Sequence, residues 1–351
     1  MDESTDVAEQ LRNRLQWAVD EVFQVRDVTL GKAPGGGARL RGRLLTDATR
    51  AYDFVAPRLR ELGYTALFRK DGPDDAIWAM PGLITVRPTR AWLSALMFVL
   101  TVLSCLYAGA TMVIPDPIQA LFHPLAGVPF AASLLSILLA HELGHYTVAR
   151  LLGTPVSLPF FIPMPLGPFG TLGAFIQMKA PPTNRRTLLA IAAAGPLAGL
   201  VLAIPILILG LSMSPVQLIP SNEPTMMEGN SLLSALLKIL VFGRFLPSGG
   251  LDVFLHPVAF AGWAGLLVTG LNLIPAGQLD GGHVVYALLG GRSRLLTRLI
   301  IFALILLGLI WSGWIFWAIL VYVFGQRHAE PLDDLTRLDA PRQALAILLV
   351  I

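Results

Sequence analysis

The sequence predicts a polytopic α-helical membrane protein of about six transmembrane helices, with a re-entrant or β-hairpin segment and a small N-terminal α+β domain. Hydrophobic residues make up 54% of the 351 residues and charged residues only 14%, a composition too apolar for an ordinary water-soluble protein. After position 90 the apolar residues form blocks near 20 residues long, which is about what a helix needs to cross ~30 Å of hydrocarbon. Residues 1–88 are instead interrupted by charges throughout.

The N-terminal region, residues 1–88, has the pattern of a soluble domain. In DATRAYDFVAPRLRELG the apolar residues recur at helical spacing, and Gly63 is placed to end the helix. The expected elements are helices at about 5–20 and 46–62 and strands at 22–30, 38–45, 64–70 and 76–80. The region contains neither a ligand cluster nor a phosphate loop, so we interpret it as a regulatory or docking domain. Its acidic start does not match a signal peptide, and we expect it in the cytoplasm.

The membrane domain is expected over residues 89–327, followed by a C-terminal tail at 328–351. Positive charges at the ends of the apolar blocks assign the spans and their direction. The last apolar block is expected to be a helical hairpin through Trp311, because Arg298 before it and Arg327 after it then lie on one side. The predicted spans are 92–114, 128–152, 187–211, 257–274 and the two arms of 298–324. The sequence predicts an integral protein of a bacterial cytoplasmic membrane.

Three further segments do not fit a simple span. Residues 155–178 are apolar but dense in Pro and Gly, which predicts a re-entrant segment ending in a strand or hairpin at GTLGAFIQM, near the cytoplasmic face. Residues 230–246 are amphipathic and are expected to lie on the outer interface. The terminal ALAILLVI is too short to cross the membrane, and is either an interfacial helix or part of a longer segment.

The charge distribution argues against nucleic-acid binding, and the cysteine content excludes an intrachain disulfide. The net charge is +3, but most of the arginines lie in the first 90 residues or flank apolar blocks, which indicates membrane orientation and no nucleic-acid partner. Cys105 is the single cysteine, so an intrachain disulfide is impossible.

The motif HELGH lies within the second predicted span. His141 and His145 are four residues apart, ~400° of helical rotation, so both imidazoles share one face and can bind one metal ion. Glu142 is displaced by ~100°, which lets it reach a water at the metal without being a ligand. An intramembrane carboxylate costs ~2.5 to 3.5 kcal/mol and is rare without a function. The pattern predicts a Zn²⁺ centre with Glu142 as the catalytic acid/base.

A catalytic zinc site usually has a third protein ligand. Asp280, in LIPAGQLDGG, is the expected one, because it sits at a break in a span that runs in the same direction as the HELGH span. Pro275 unwinds that helix, and the glycines that follow Asp280 let the backbone approach the metal. His283, His256 and His123 are the other candidates near predicted membrane boundaries.

The pairing of HELGH with NLIPAGQLDGG resembles the site-2 protease family, the M50-type intramembrane zinc metalloproteases. The resemblance implies that His141, His145 and Asp280 bind zinc, that Glu142 is the acid/base, and that Asn272 contacts the substrate backbone. AGPLAG at 194–199 is similar to the middle span of the family, in which many members carry Asn where this chain has Gly199. RLRGRLLTDATRAYDFVAPRLRELGYTALFRKDG and FGTLGAFIQMKAPPTNRRTLLAIAAAGPLAGL resemble the EGY-like branch, so that the likeness covers about residues 35–335.

The expected function is hydrolysis of peptide bonds within or near the transmembrane segment of membrane-anchored proteins, with single-span proteins and the bilayer as partners. The GTLGAFIQM strand offers an edge to an extended peptide, which makes Gly173 and Phe175 candidate substrate-binding residues. Two alternatives stay open. One is a membrane zinc-binding protein without catalysis, such as a metal transporter or a chaperone of the same fold. The other is a prenyl-protein protease, which also uses H-E-x-x-H. The oligomeric state is not predicted.

Overall fold

The N-terminal domain is a four-stranded antiparallel sheet covered by two helices. The computed structural model describes residues 3–86, 88–219, 228–325 and 330–350. Strand order is β1-β2-β4-β3, and side chains such as Leu40 and Phe68 point from the sheet into a core with Leu15 and Leu59 of the helices. The elements are α1 (Glu3–Trp17), β1 (Phe23–Ala33), β2 (Gly37–Leu44), α2 (Ala48–Glu61), β3 (Tyr64–Asp71) and β4 (Asp74–Pro81).

Three helices of the membrane domain are long and apolar enough to cross a bilayer. They are α3 (Ala91–Val113), α5 (Val128–Leu151) and α6 (Arg185–Ser212), and the short α4 (Pro117–Phe122) connects the first two. Six spans were expected from the sequence. The other predicted spans form α8 (Pro257–Asn272), α10 (Ser293–Leu307) and α11 (Gly313–Gly325). At 1.5 Å per residue, helices of 16, 15 and 13 residues are each shorter than ~30 Å of hydrocarbon.

The long helices pack closely through small residues. Gly144 of α5 faces the Ala194 carbonyl of α6, and Gly210 of α6 faces the backbone of Ala259 in α8, at distances that leave no room for a methyl group. Small residues of this kind let helix backbones approach within a membrane. Gly109, near the end of α3, lies in the same way against Gly127 at the start of α5. The ends of α3 and α6 therefore lie beside the starts of α5 and α8, and we call this the distal end of the membrane domain. The opposite, proximal end faces the N-terminal domain.

The Pro- and Gly-rich segment between α5 and α6 forms a hairpin of β5 (Phe160–Pro163) and β6 (Thr171–Phe175). Its loop reaches α3, where Gly170, at φ +70°, lies against the backbone of Cys105 so closely that a Cβ atom would clash. The sequence predicted a short strand or a hairpin at GTLGAFIQM; the strand that forms there, β6, pairs with β5 and ends at Phe175. Beyond it, the Ile176 N–H turns to the Glu142 carboxylate and Gln177 bonds to Ser157.

The segment between α6 and α8 folds at the distal end. A two-stranded sheet of β7 (Val216–Leu218) and β8 (Leu251–Val253) flanks α7 (Leu232–Phe242). This helix lies within the stretch predicted to be amphipathic: Leu232 and Leu240 are exposed, whereas Lys238 is buried and bonds to Glu228.

The C-terminal residues do not form a free tail. α9 (Asp280–Leu289) follows α8, and α12 (Ala340–Val350) packs on α9 and α6. Between α11 and α12, residues 332–334 run as an extended segment parallel to β3 at the edge of the N-terminal sheet. The same segment bonds on its other side to Pro182 and Thr183, just before α6. It therefore connects the N-terminal domain with the proximal end of the membrane domain.

Candidate metal centre

The two histidines of HELGH project from α5 toward α6 and are almost fully buried. The Nδ1 atom of His145 lies 2.7 Å from the carbonyl oxygen of Ile191 in α6. A carbonyl only accepts, so Nδ1 carries the proton and donates, and Nε2 is left as the metal-binding nitrogen. The ring lies flat against α6 at Gly195, where a Cβ atom would approach His145 Nε2 to 2.0 Å.

Asp280 reaches the same place because the chain breaks between α8 and α9. α8 ends at Asn272, and α9 begins with Asp280 itself. The turn between them is tight: a Cβ atom on Gly281 would lie 2.1 Å from the Leu273 carbonyl oxygen, and one on Gly282 would lie 2.3 Å from that of Gly277. Only glycine fits there, which explains why LDGG follows the break.

The three side chains converge to the spacing of a metal site. Asp280 Oδ2 lies 3.1 Å from His141 Nε2 and 3.2 Å from His145 Nε2, and the two Nε2 atoms are 3.2 Å apart. A tetrahedral ion about 2.0 to 2.1 Å from each ligand atom would separate such atoms by about 3.3 Å. Neutral imidazoles and one carboxylate are donors that zinc accepts. The donor atoms therefore fit one small divalent ion.

Glu142 lies beside this group and is not part of it. It is 4% exposed, and its carboxylate accepts a hydrogen bond from the Ile176 N–H at the end of the hairpin. The other oxygen, Oε2, is buried without a hydrogen-bond partner among the described residues. Such an oxygen is costly unless water or substrate satisfies it, as expected of a group that exchanges a proton with the reactants.

The centre opens into a cavity of about 160 Å³, lined by residues of α5, α6, the hairpin and the α8–α9 break. Asn272 lies on its wall, with Nδ2 3.5 Å from His141 Nε2. Phe175 of β6 also lines it, and Gly173, at φ +104°, lies two residues earlier on the strand. The structure thus gathers the predicted substrate-binding residues near the centre, although their role stays a prediction.

The alternative ligands are placed differently. Within the described residues, His141, His145 and Asp280 are the one group of His, Cys, Asp or Glu side chains that could hold a metal. His283 lines the cavity from the first turn of α9. His256 caps the start of α8, and His123 follows α4. Both lie at the distal end.

Three groups that orient the side chains of the centre were not predicted from the sequence. They are the Ile191 carbonyl and Gly195 beside His145, and the Ile176 N–H beside Glu142. The first and last are backbone groups, which carry no residue-type signal. Gly195 belongs to AGPLAG, a motif that we had interpreted only as a likeness of the middle span.

Comparison with known proteins identifies the family. The model of peptidase family M50 matches residues 129–313, more than half of the chain, and this range contains HELGH and Asp280. The chain belongs to peptidase family M50. This match confirms the resemblance to site-2 proteases, and the EGY relatives described next confirm the EGY-like branch.

Plant relatives of this M50 protein are similar over most of its length. It is 30% identical over 344 residues to the probable zinc metalloprotease EGY2, chloroplastic, of Arabidopsis thaliana. The aligned region covers 93% of this chain and 61% of that protein. It is 33% identical over 252 residues to the EGY1 protein of the same plant, covering 68% of this chain and 45% of that one. The EGY1 protein of Oryza sativa subsp. japonica is 30% identical over 291 residues, 75% of this chain and 50% of that one. The chain thus spans about half to three fifths of these relatives.

Proposed function

We propose that this protein is a zinc metalloprotease that hydrolyses peptide bonds within or near the membrane-spanning segment of its substrates. The observation that carries the proposal is the convergence of His141, His145 and Asp280 at 3.1 to 3.2 Å, with Glu142 beside them. The names of the relatives specify a zinc metalloprotease, and membership of family M50 supports the same activity.

His141, His145 and Asp280 would hold zinc, which would supply Lewis acidity to the scissile carbonyl and to the attacking water. The chain's own groups do the rest. His145 is held in the metal-binding tautomer by the Ile191 carbonyl, and Asp280 completes the ligand set. Glu142 takes the proton of the attacking water through Oε2 and delivers it to the leaving amine. The Ile176 N–H holds the other carboxylate oxygen in place, so Glu142 keeps one orientation through both steps.

The substrate has to be extended at this site, because a helical backbone hides its carbonyls in hydrogen bonds. β6 pairs only with β5 among the described strands, so its second edge is available for addition of a substrate strand. In this proposal Gly173 and Phe175 contact the extended chain, and the Asn272 amide, next to His141, binds the peptide group near the cleaved bond. Single-span membrane proteins are the expected substrates.

The proposed topology has six spans with the N-terminal domain in the cytoplasm. α10 and α11 form the expected hairpin through residues 308–312, and α8 crosses together with the broken segment that leads to α9. Arg185 and Arg186 at the start of α6 lie at the proximal end, where the positive-inside rule places cytoplasmic residues. The relatives are named chloroplastic, while a bacterial cytoplasmic membrane stays a prediction for this chain.

The two alternatives are less well supported. A transporter or chaperone that only binds zinc has no need of a carboxylate like Glu142, with a free oxygen next to the ligands. A prenyl-protein protease takes its third ligand from a Glu-containing helix, whereas here the third candidate is Asp280.

The decisive experiment compares Glu142→Gln with the unchanged protein, using tagged single-span substrates in detergent or nanodiscs. We expect cleavage to fall by at least ~100-fold, because a positioned acid/base contributes about that much or more, while zinc content stays near one per chain. Asp116→Asn, at an exposed carboxylate that caps α4, is the control and should cleave normally. A Glu142→Gln protein that cleaves within a few-fold of the normal rate would exclude this mechanism.

A further inference from the structure

A second cavity, of about 810 Å³, lies at the distal end of the membrane domain. Its walls come from the end of α3, the loop of the β5–β6 hairpin, β8 and the start of α8, represented by Tyr107, Phe169, Asp252 and Trp263. The cavity at the metal centre holds about 160 Å³, which is below the ~300 Å³ of an ordinary ligand site. That cavity has room for the reacting peptide group but not for the neighbouring residues of a substrate.

The hairpin connects the two cavities. Phe169 in its loop lines the distal cavity, whereas Ala174 and Phe175 of β6 line the cavity at the metal centre. A substrate strand added along β6 from the metal centre toward the distal end would therefore arrive at the distal cavity.

Two helices give the distance between the cavities. Phe130 on α5 stacks on Phe260, a residue of the distal wall, and lies eleven residues before His141, or ~16 Å along the helix. On α8, Phe260 lies twelve residues before Asn272, or ~18 Å. An extended peptide advances ~3.3 Å per residue, so about five residues span this distance.

The distal cavity carries an excess of negative charge. Glu228 and Asp252 line it, and the buried ammonium of Lys238 lies 2.6 Å from Glu228 and 4.0 Å from Asp252. The side chains of the two carboxylates are only 10% and 11% exposed. Among the residues that the structure describes, two carboxylates against one ammonium leave a net charge of −1, and none of the described lining residues is Lys, Arg or His. Aromatic walls at Trp263 and Phe260 also attract a cation.

We propose that the distal cavity binds the part of a substrate that lies five to seven residues distal to the cleaved bond, and that it selects Lys or Arg there. This specificity rests on the proposed protease function, since it assumes a peptide extended along β6. A basic residue at this position neutralises the excess carboxylate and places its apolar stem against the aromatic wall. Substrates with an apolar residue there bind through the hairpin alone.

Equilibrium binding tests the proposal without cleavage. The probes are fluorescent single-span peptides that differ only at the sixth residue distal to the expected cut, with Lys or its uncharged analogue norleucine. The full chain carries Glu142→Gln, so that bound peptide is not consumed. We expect the Lys peptide to bind about 10-fold more tightly than the norleucine peptide.

Asp252→Asn, in the same background, should bring this ratio to within 2-fold of one. The substitution keeps the Glu228–Lys238 pair, and it leaves an oxygen to accept the Val253 N–H that Asp252 now accepts. Asp116→Asn, at the same end but outside the cavity, should keep the ratio. Equal binding of the two peptides by the unmodified cavity, or an unchanged ratio in Asp252→Asn, would refute the proposal. Suppose instead that the Lys peptide binds about 10-fold more tightly but that the protein with Glu142 unchanged cleaves neither peptide. This result would refute the protease function and leave the assignment of the distal cavity standing.

Discussion

His145 depends on a glycine of another helix for its position. Its ring lies between its own helix and the backbone of α6, and Nδ1 donates to the Ile191 carbonyl at 2.7 Å. A methyl group at Gly195 would lie 2.0 to 2.5 Å from three atoms of the ring, inside van der Waals contact. The helix backbone cannot yield, so the imidazole would have to move away from Asp280.

Replacement of Gly195 by Ala should therefore weaken metal binding. We expect zinc affinity to fall by at least ~10-fold, because loss of a group that orients a ligand typically costs 10- to 100-fold. Gly199→Ala is the matched control, since a Cβ there would lie 3.3 Å from the nearest atom, His141 Nδ1, and needs only a small adjustment. Zinc content measured after dialysis against graded chelator checks this. Equal retention of zinc by both variants would show that Gly195 does not position His145.

The ligand residues could be predicted from the sequence, but the groups that orient them could not. HELGH needs only helical periodicity to place His141 and His145 on one face, and Asp280 stands out because Pro275 and its glycines mark a break in an apolar span. The contact of Gly195 with His145 depends on how α5 and α6 cross. The small residues of AGPLAG predict close packing of α6, but the sequence does not specify which residue of a neighbouring helix each of them contacts.

At the scale of elements, the ends of helices were easier to predict from the sequence than the pairing of strands. Arginines on both sides of the last apolar block predicted a helical hairpin, and α10 ends at Leu307 while α11 starts at Gly313. β5 was not predicted, because FFIP lies between prolines and has no alternation of its own. Its place is set by packing on α3, where Phe161 meets the Phe98 ring edge-on at 5.0 Å.

α9 is held by a contact that lies far from Asp280 in sequence. Asp334, in the C-terminal segment, accepts hydrogen bonds from Tyr286 of α9 and from Arg185 at the start of α6. The side chains of Asp334 and Arg185 are 17% and 16% exposed. One carboxylate therefore joins the helix that carries the third candidate ligand to the helix that orients His145.

Asp334→Ala should destabilise the fold around α9. We expect a loss of about 2 kcal/mol, because the substitution leaves a largely buried arginine without its charged partner, and an apparent Tm lower by a few degrees. Asp339→Asn removes the charge from a more exposed pair with Arg342, keeps an oxygen for the Arg342 N–H that Asp339 accepts at the start of α12, and should cost at most about 0.5 kcal/mol. Thermal unfolding in detergent compares the two. Equal shifts would show that Asp334 acts only as a surface charge.

At the scale of the whole molecule, residues 332–334 join the two domains. Phe68 of β3 donates its N–H to the Leu332 carbonyl and accepts from the Asp334 N–H, while Asp333 donates to the Thr183 carbonyl. The N-terminal sheet thus continues through this segment to the chain just before α6. This connection could not be predicted from the sequence, because a single extended segment of three residues has no periodicity, and its two partners are more than 140 residues away.

Asp333 lies at the centre of this connection and is fully buried. Burial raises the pKa of its carboxyl above the usual value, although the N–H groups of Leu335 and Thr336 and the Thr336 hydroxyl donate to it and oppose the rise. A carboxyl with a raised pKa in the folded state binds a proton more strongly there than in the unfolded chain. Its contribution to stability is present below pH ~4 and is lost as the pH rises through the folded-state value.

Asp333→Asn should therefore stabilise the connection at neutral pH and remove this part of its pH dependence. Asn keeps an oxygen for the two N–H groups, and its amide can donate to the Thr336 hydroxyl, which in turn can donate to Thr49. We expect the variant to unfold at a higher temperature than the unchanged protein at pH 7, with the difference shrinking toward pH 4. Thermal unfolding of both proteins from pH 4 to 8 measures it, and Asp339→Asn controls for surface charge. A difference that stays constant with pH would mean that folding does not raise the pKa of Asp333. A difference that grows in favour of the variant as the pH falls would mean that Asp333 is stabilised as the carboxylate, and that its three donors outweigh its burial.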